Sequence, residues 1–560
     1  MVRAFPILTL ALLLGPTLAG LAGTALPAFG YMPVLGRAEP SLLAWRELFS
    51  TPGLPRSLAV GALVGFATTL LSLAAVVAIA ASAHGTRAFD LARRALSPLL
   101  SIPHVAMAVG LAFVIAPSGL LFRIWSGHLG GPPRPPDLLI VNDTWGLSLM
   151  AGLLLKEIPF LFLMLLAALP QADAARSLTV ARTLGYGRVA AWLKVVLPRV
   201  YPQIRLPVLA VLAYGLSVVD VALVLGPTTP PTLPVQILRW INDPDLSFRF
   251  RASAGAMLQL GVVVGGIAVW VAGERLVAWL GRRWVEAGSR EAGERIVPAL
   301  TAACGAVGLA VVGLAFVAIA LWSVAGAWRY PDVLPAEFTA RNWLAESGRA
   351  ASLVANSALI ASITAVVALV LVVGCLENED RHGRRQAGDA ALWLLYTPLL
   401  APQVAFLLGL QVFLIVLRLD ETLPAVVLAH LVFVLPYTFL SLRDPWRAVD
   451  GRYRQVALTL GASPARALFA IRLPMLLRAL LTALAIGWAI SVGQYLATLL
   501  VSGARLPTIT TEAVAVASGG DRRTLAIYAL LQTALPFVAF ALALVVPGIV
   551  FRDRRALRNP

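Results

Sequence analysis

GYGRVAAWLKVVLP at 185–198 recurs as GASPARALFAIRLP at 461–474, each a glycine, nine residues, an aliphatic, any residue, then Leu-Pro. The first copy is introduced by Thr183-Leu184-Gly185 and closes on Val195, Leu197 and Pro198. The second is introduced by Thr459-Leu460-Gly461 and closes on Ile471, Leu473 and Pro474, 276 residues later. One unit is written twice, so the fold has to be read as a duplication.

The sequence around these turns belongs in lipid. Of 560 residues 59% are hydrophobic and only 13% charged, and the mean hydropathy is +0.84, outside the range of soluble domains. Apolar runs recur around 58–82, 205–226, 253–280, 352–376, 391–417 and 523–550, each long enough for roughly 30 Å of hydrocarbon as a helix. Counted through, there are six per half. The expectation is an all-α polytopic membrane protein of about 12 transmembrane helices in two tandem, parallel six-helix domains.

The net charge of +17, from 45 basic and 28 acidic residues, would suit nucleic acid if it formed one patch. It does not, because the arginines gather in short connections: Arg3, Arg87, Arg93 and Arg94, then Arg176 to Arg205, Arg282 and Arg283, Arg381 to Arg385, Arg443 to Arg478, and Arg552 to Arg558. With six spans per half these all share one side, which the positive-inside rule makes the cytoplasm, with both termini there. No nucleic-acid partner is expected; membrane lipid is. The loops around 36–56, 117–143, 227–251, 327–350 and 502–522 then face outward. The apolar stretch to Ala28 resembles a signal peptide, but the count balances only if it is retained as the first span. Cys304 and Cys375 sit in apolar runs and read as small hydrophobes. No two of the five histidines have metal-ligand spacing, and no metal site is expected.

A second repeated string tests the duplication. Pro103-His104-Val105-Ala106 with Gly110-Leu111 matches Pro402-Gln403-Val404-Ala405 with Gly409-Leu410 at an offset of 299. The 23-residue difference from 276 places an insertion in the outward loop 117–142. Pro231-Thr232-Leu233 against Pro507-Thr508-Ile509 returns to 276. Parallel repeats with an even number of spans follow. The charged segment 282–297 reads as a cytoplasmic linker between a first domain, 1–281, and a second, 298–560, each reading as a complete domain.

Between its glycine and its Leu-Pro, each motif is too polar to cross lipid and too apolar to be disordered. In the first copy, 178–184 predicts a helix stopped at Gly185 by positive φ. Residues 188–196 predict a second helix ended before Pro198, with Val189, Ala190, Leu193 and Leu197 on one docking face and Arg188, Lys194 and Arg199 around it.

The pattern resembles the EAA loop of ABC importer permeases, whose coupling helix inserts into a groove of the ATP-binding subunit. The skeleton residues are Gly185, Val195, Leu197 and Pro198, and Gly461, Ile471, Leu473 and Pro474. The triplet departs: Thr179-Val180-Ala181 and Gln455-Val456-Ala457 keep the second alanine and lack the glutamate. Over both halves, 216–222 with Leu225-Gly226-Pro227, and Gln494-Tyr495 with 506–514, the chain resembles fused two-domain type I permeases. Within the branch that includes ferric-iron and thiamine importers, it looks closest to an enterobacterial permease of unsettled substrate. That resemblance implies a bacterial inner membrane, two copies of a cytoplasmic ABC ATPase, a periplasmic solute-binding protein, and alternating access coupled through the two motifs. It also puts ATP and Mg on the ATPase subunits, with no cofactor in this chain. The chain agrees, since no G-x-x-x-x-G-K-[ST] string occurs and its only lysines, Lys156 and Lys194, do not follow glycine. It is expected not to be an enzyme itself.

Polar groups inside spans are the path candidates. Asp220, with Tyr214 shortly before it, follows the first motif, and Gln494 and Tyr495 follow the second; a structural hydrogen bond to a neighbouring helix is the alternative for Asp220. Glu157 is adjacent to Lys156, so the two project about 100° apart; pairing or packing is the alternative there. His104, Gln403 and His430 read as helix bridges. Two other functions stay open: an ion-gradient-driven secondary transporter, which would show paired carboxylates or a broken helix at mid-membrane, and a membrane enzyme, which would need a clustered site that is not visible. Asp220 and Glu157 would suit a cationic substrate, Lys156 and the loop arginines an anion.

Overall fold

A computed structural model of the chain describes residues 2–37, 39–382 and 389–552. Of the expected cytoplasmic arginines, Arg384, Arg385, Arg554, Arg555 and Arg558 lie outside them. Among the described residues the regular structure is helical, with three isolated β-bridges. Ten helices are long and apolar enough to span a membrane, and two bent pairs raise the number to as many as twelve. Trp393–Leu400 meets Gln403–Val416 at 89°, and Pro464–Met475 meets Leu477–Val492 at 78°. The first bend falls at Pro402, which has no N–H to continue a helix.

The six spans of each half correspond one to one. Ala4–Ala28, Leu54–Ala83, His104–His128, Leu147–Ala168, Arg188–Ser217 and Phe248–Glu286 match Ile296–Val324, Arg341–Arg381, the first bent pair, Leu423–Ala448, the second bent pair and Arg522–Val550. The halves are packed into one another through their first helices. Ala4–Ala28 lies against Gln403–Val416 of the other half, and Ile296–Val324 lies against His104–Ile115.

Glycine explains why. Helices in lipid gain little from apolar burial and associate through close backbone packing. A Cβ at Gly23 would stand 2.7 Å from the Gly409 carbonyl oxygen, and one at Gly20 would collide with that of Phe406. The Gly409 N–H donates to Thr24 Oγ1 at 2.9 Å. On the other side a Cβ at Gly110 would stand 2.9 Å from that of Ala315. Gly110 and Gly409 are the glycines of the repeated 299-offset string, so that string marks where each half receives the other's first helix.

The insertion lies where the offsets place it. It holds the short helix Leu120–His128, while its counterpart is a tight turn in which Arg418 and Glu421 take φ of 56° and 59°. Arg123, 3% exposed, donates from the insertion to Ser118 O, Arg329 O and Asp332 O, with its guanidinium 4.6 Å from the Trp328 ring. The insertion is thus pinned to the 325–338 loop of the second half.

After each coupling motif the helix breaks, at Val218–Val219 between Leu197–Ser217 and Asp220–Leu225, and at Gly493–Gln494 between Leu477–Val492 and Leu496–Ser502. Carbonyls freed within lipid need partners. Gln259 donates to Leu216 O at 3.1 Å. In the second half Thr510 donates to Val492 O at 2.5 Å and is itself reached by Gln532 at 2.8 Å. A buried glutamine from the last span of each half therefore serves its break.

Replacing Gly409 by Leu is expected to cost at least about 3 kcal/mol, because the side chain meets backbone that cannot yield. Thermal unfolding of the purified protein in detergent should show this, whereas Gly61→Leu, facing open space, should leave the transition near wild type.

Candidate functional site

Both coupling motifs sit at one end of the bundle. Helix Ala174–Thr183 ends at Gly185 with φ +82°, and helix Arg452–Thr459 ends at Gly461 with φ +80°. Only glycine takes this conformation without strain. The second helix of the first motif starts at Arg188 as expected but does not stop before Pro198. It passes through a π-turn at Trp192–Val196 into Leu197–Ser217, with Pro198 in a first turn where its missing N–H costs nothing. The second motif has the same π-turn at Leu468–Arg472 and bends at Leu476. Arg3 contacts His382 at this end too, through Nε to Nε2 at 2.9 Å.

The expected docking face is corrected. Val189 and Ala190 are buried, Leu193 and Leu197 half-buried, and the face packs into a cluster with Phe89, Phe162 and Trp192. In the first copy what stays exposed lies one helix earlier, at Val180 and Leu184; in the second, Val456 and Leu460 are exposed and so are Ala465, Arg466 and Phe469 of the second helix. Thr179 and Gln455 are also exposed, whereas Ala181 and Ala457 are buried beneath them. Val195, Ile471, Leu473 and Pro474 are half-buried.

The two turns are held by different charges. In the first, the Glu294 carboxylate accepts from the N–H groups of Val189 (2.9 Å) and Ala190 (3.0 Å), and Arg290 O accepts from Gly187 N at 2.8 Å. Lys194 donates to Trp284 O and Ser289 O, and Arg188 to Ser82 O. The linker is thus a strap over the first coupling helix, its carboxylate satisfying the free donors of a helix N-terminus. In the second, Ser463 caps its own helix by accepting from Arg466 N. Arg472 pairs with Asp380, which also accepts from Trp446 Nε1, and Arg447 pairs with Glu379 at 3.2 Å. Phe469 stands exposed there.

The path candidates converge at the helix breaks, where the halves meet. Tyr214 donates to Asp220 Oδ1 at 3.3 Å and its ring lies 5.0 Å from that of His104. His104 Nε2 is 3.6 Å from Glu157. Tyr437, in Leu423–Ala448, and Tyr495, just before Leu496–Ser502, belong to the other half. Gln494 lies at the second break. Lys156 turns away: its Nζ donates to Leu99 O (2.9 Å), Leu100 O (3.1 Å) and Ile102 O, closing the irregular turn before His104–Ile115. His430 bridges Ser491 and Thr498, as a helix bridge should. Sequence reasoning missed Tyr437, Gln259 and Gln532; the first lies in an unbroken apolar span, and the glutamines declare themselves only through the carbonyls they reach. Among the described residues no three His, Cys, Asp or Glu converge as metal ligands.

Ten to twelve apolar helices in two intertwined repeats, with paired glycine turns at one end and a polar crossing between the halves, define a membrane permease. Residues 371–552 match the family of binding-protein-dependent transport system inner membrane components. The chain is 32% identical over 524 residues to the inner membrane ABC transporter permease protein YnjC of Escherichia coli (strain K12), covering 92% of this chain and 93% of that one. A stretch of 170 residues, 29% of the chain, is 25% identical to 57% of the putrescine transport system permease protein PotI of the same organism. Another of 81 residues, 14% of the chain, is 38% identical to 31% of the molybdenum transport system permease protein ModB of Mycobacterium bovis. The chain belongs to the ABC transporter permeases, as a multi-pass inner-membrane component of a transport system.

Glu294→Ala should remove about 1 kcal/mol of capping and raise hydrogen exchange at the Val189 and Ala190 amides about fivefold. Exchange at Arg466, capped by Ser463, should not change.

Proposed function

We propose that this chain is the translocation subunit of an ATP-driven importer, receiving a small solute from a periplasmic binding protein and releasing it into the cytoplasm by alternating access. The observation that carries the reading is the surface presented twice: Val180 and Leu184 before Gly185, and Val456 and Leu460 before Gly461, exposed in both copies. The same exposed valine and leucine at two places suit two copies of one ATPase, and the different charges beneath suit a scaffold that need only hold each turn rigid. ATP and Mg belong to those subunits. Their closure would draw the two turns together, and differential binding of the two states would supply the energy. The end carrying the turns, with Arg3 and the linker, would then be cytoplasmic, as the arginine distribution requires. In this reading the halves are 1–281 and 298–560, joined by a linker at 282–297 that also carries the Glu294 cap.

The paired helix breaks, together with Asp220 and Glu157 linked through Tyr214 and His104, favour an ion-gradient-driven transporter as the second reading. Reconstitution with the ATPase separates the two. Leu184→Asp combined with Leu460→Asp is expected to weaken ATPase association at least about tenfold, as loss of central apolar contacts does, and to abolish ATP-dependent uptake. Uptake that follows a proton or sodium gradient without any ATPase would replace the importer reading.

A further inference from the structure

The polar crossing between the halves has a charge and a shape that select among solutes. It holds two carboxylates. Glu157 is 5% exposed, and no hydrogen bond reaches its carboxylate; its neighbour of opposite character is the His104 ring at 3.6 Å, which carries charge only when protonated. Asp220 accepts a single side-chain hydrogen bond, the 3.3 Å contact from Tyr214. The lysine adjacent in sequence does not offset them at the crossing, because its ammonium is ringed by the carbonyls of Leu99, Leu100 and Ile102. The ion pairs of Arg205, Arg251, Arg349, Arg381, Arg447, Arg452, Arg472 and Arg505 all go to other carboxylates. An uncompensated carboxylate at membrane depth is costly and persists where it meets a partner.

The rest of the crossing is aromatic. Tyr214, which donates to Asp220, belongs to one half, and Tyr437 and Tyr495, the latter at the second helix break, belong to the other. A crevice of about 400 Å³, lined by Leu238, Arg239, Asp243, Tyr495 and Ser518 among others, opens on the side away from the coupling turns.

Ring faces and carboxylates together recognise one chemistry. We infer that the crossing binds an organic cation, a protonated or quaternary amine, with Glu157 and Asp220 as counter-charges and Tyr214, Tyr437 and Tyr495 as walls whose π-faces contact its alkylammonium groups. An oxyanion placed between them would meet the repulsion of two carboxylates. A bare metal ion would lack three converging protein ligands. The inference rests on the permease reading and adds its substrate class.

The test is equilibrium binding to the purified chain in lipid nanodiscs, with radiolabelled putrescine and choline as amine probes and sulfate and molybdate as oxyanion probes. Wild type is expected to bind at least one amine and neither oxyanion. Glu157→Gln and Asp220→Asn should each weaken amine binding about tenfold or more, and Tyr437→Leu, which removes only a wall, by a smaller factor. Failure of both amines to bind wild type, binding of an oxyanion, or amine binding indifferent to both carboxylate variants would overturn it. ATPase copurification on the same samples reads the coupling turns alone. Retention there by E157Q and D220N shows that the variants fold, and keeps failure of the cation inference distinct from failure of the permease reading.

Discussion

Close backbone contact between each half's first helix and the other half is the constraint on which the architecture depends. Gly20 and Gly23 bring Ala4–Ala28 onto the backbone of Phe406 and Gly409, and Gly110 admits Ile296–Val324 at Ala315. In water such helices would be held by burial of apolar surface. In lipid that force is nearly absent, and small residues that let dispersion and a hydrogen bond such as Gly409 to Thr24 act at short range take its place. Two reciprocal arms of this kind fasten the halves at their periphery, and the interface between them is free to carry polar groups.

That interface is built from interrupted helices, which lipid permits only where the freed backbone finds partners. Gln259 in the first half, and Gln532 through Thr510 in the second, supply them. The breaks leave Asp220 and Tyr495 at the starts of short helices, and from Asp220 a chain of contacts runs through Tyr214 and His104 to Glu157. Asn142 reinforces the first break from outside by donating to Gly226 O at 2.8 Å, and Ser148 donates to Leu225 O at 2.7 Å. A polar site in the bundle interior is thus paid for locally, by side chains that serve the backbone rather than the solute.

At the far end the same repeat is stabilised in two unlike ways. One turn is strapped by the linker through Glu294, Arg290 and Lys194; the other leans on the acidic end of Arg341–Arg381 through Arg472, Arg447 and Trp446. The exposed pair before each glycine is nonetheless the same, valine and leucine. Duplicated segments have diverged where they face their own scaffold and have kept this one exposed apolar pair.

The sequence by itself determined that this is an all-α membrane protein of two parallel six-span repeats, because hydrophobic length and a fixed offset are local, one-dimensional signals. It also determined the glycine turns, since positive φ at Gly185 and Gly461 is a property of the residue. The candidates Asp220, Tyr214, Glu157 and Tyr495 were legible as polar residues in apolar spans, and in the structure Tyr214 contacts both Asp220 and His104, whose ring stands 3.6 Å from Glu157. Tertiary structure alone decided the rest. The exchange of first helices depends on which backbones approach, and Val189 and Ala190 form a buried face because the linker and Phe162 lie over them. The same periodicity would describe either a docking face or a core. Lys156 and Glu157 are neighbours in the chain and opposites in role, because a helix sends adjacent side chains about 100° apart and only the packed bundle shows what each then meets: three carbonyl oxygens for one, the crossing for the other.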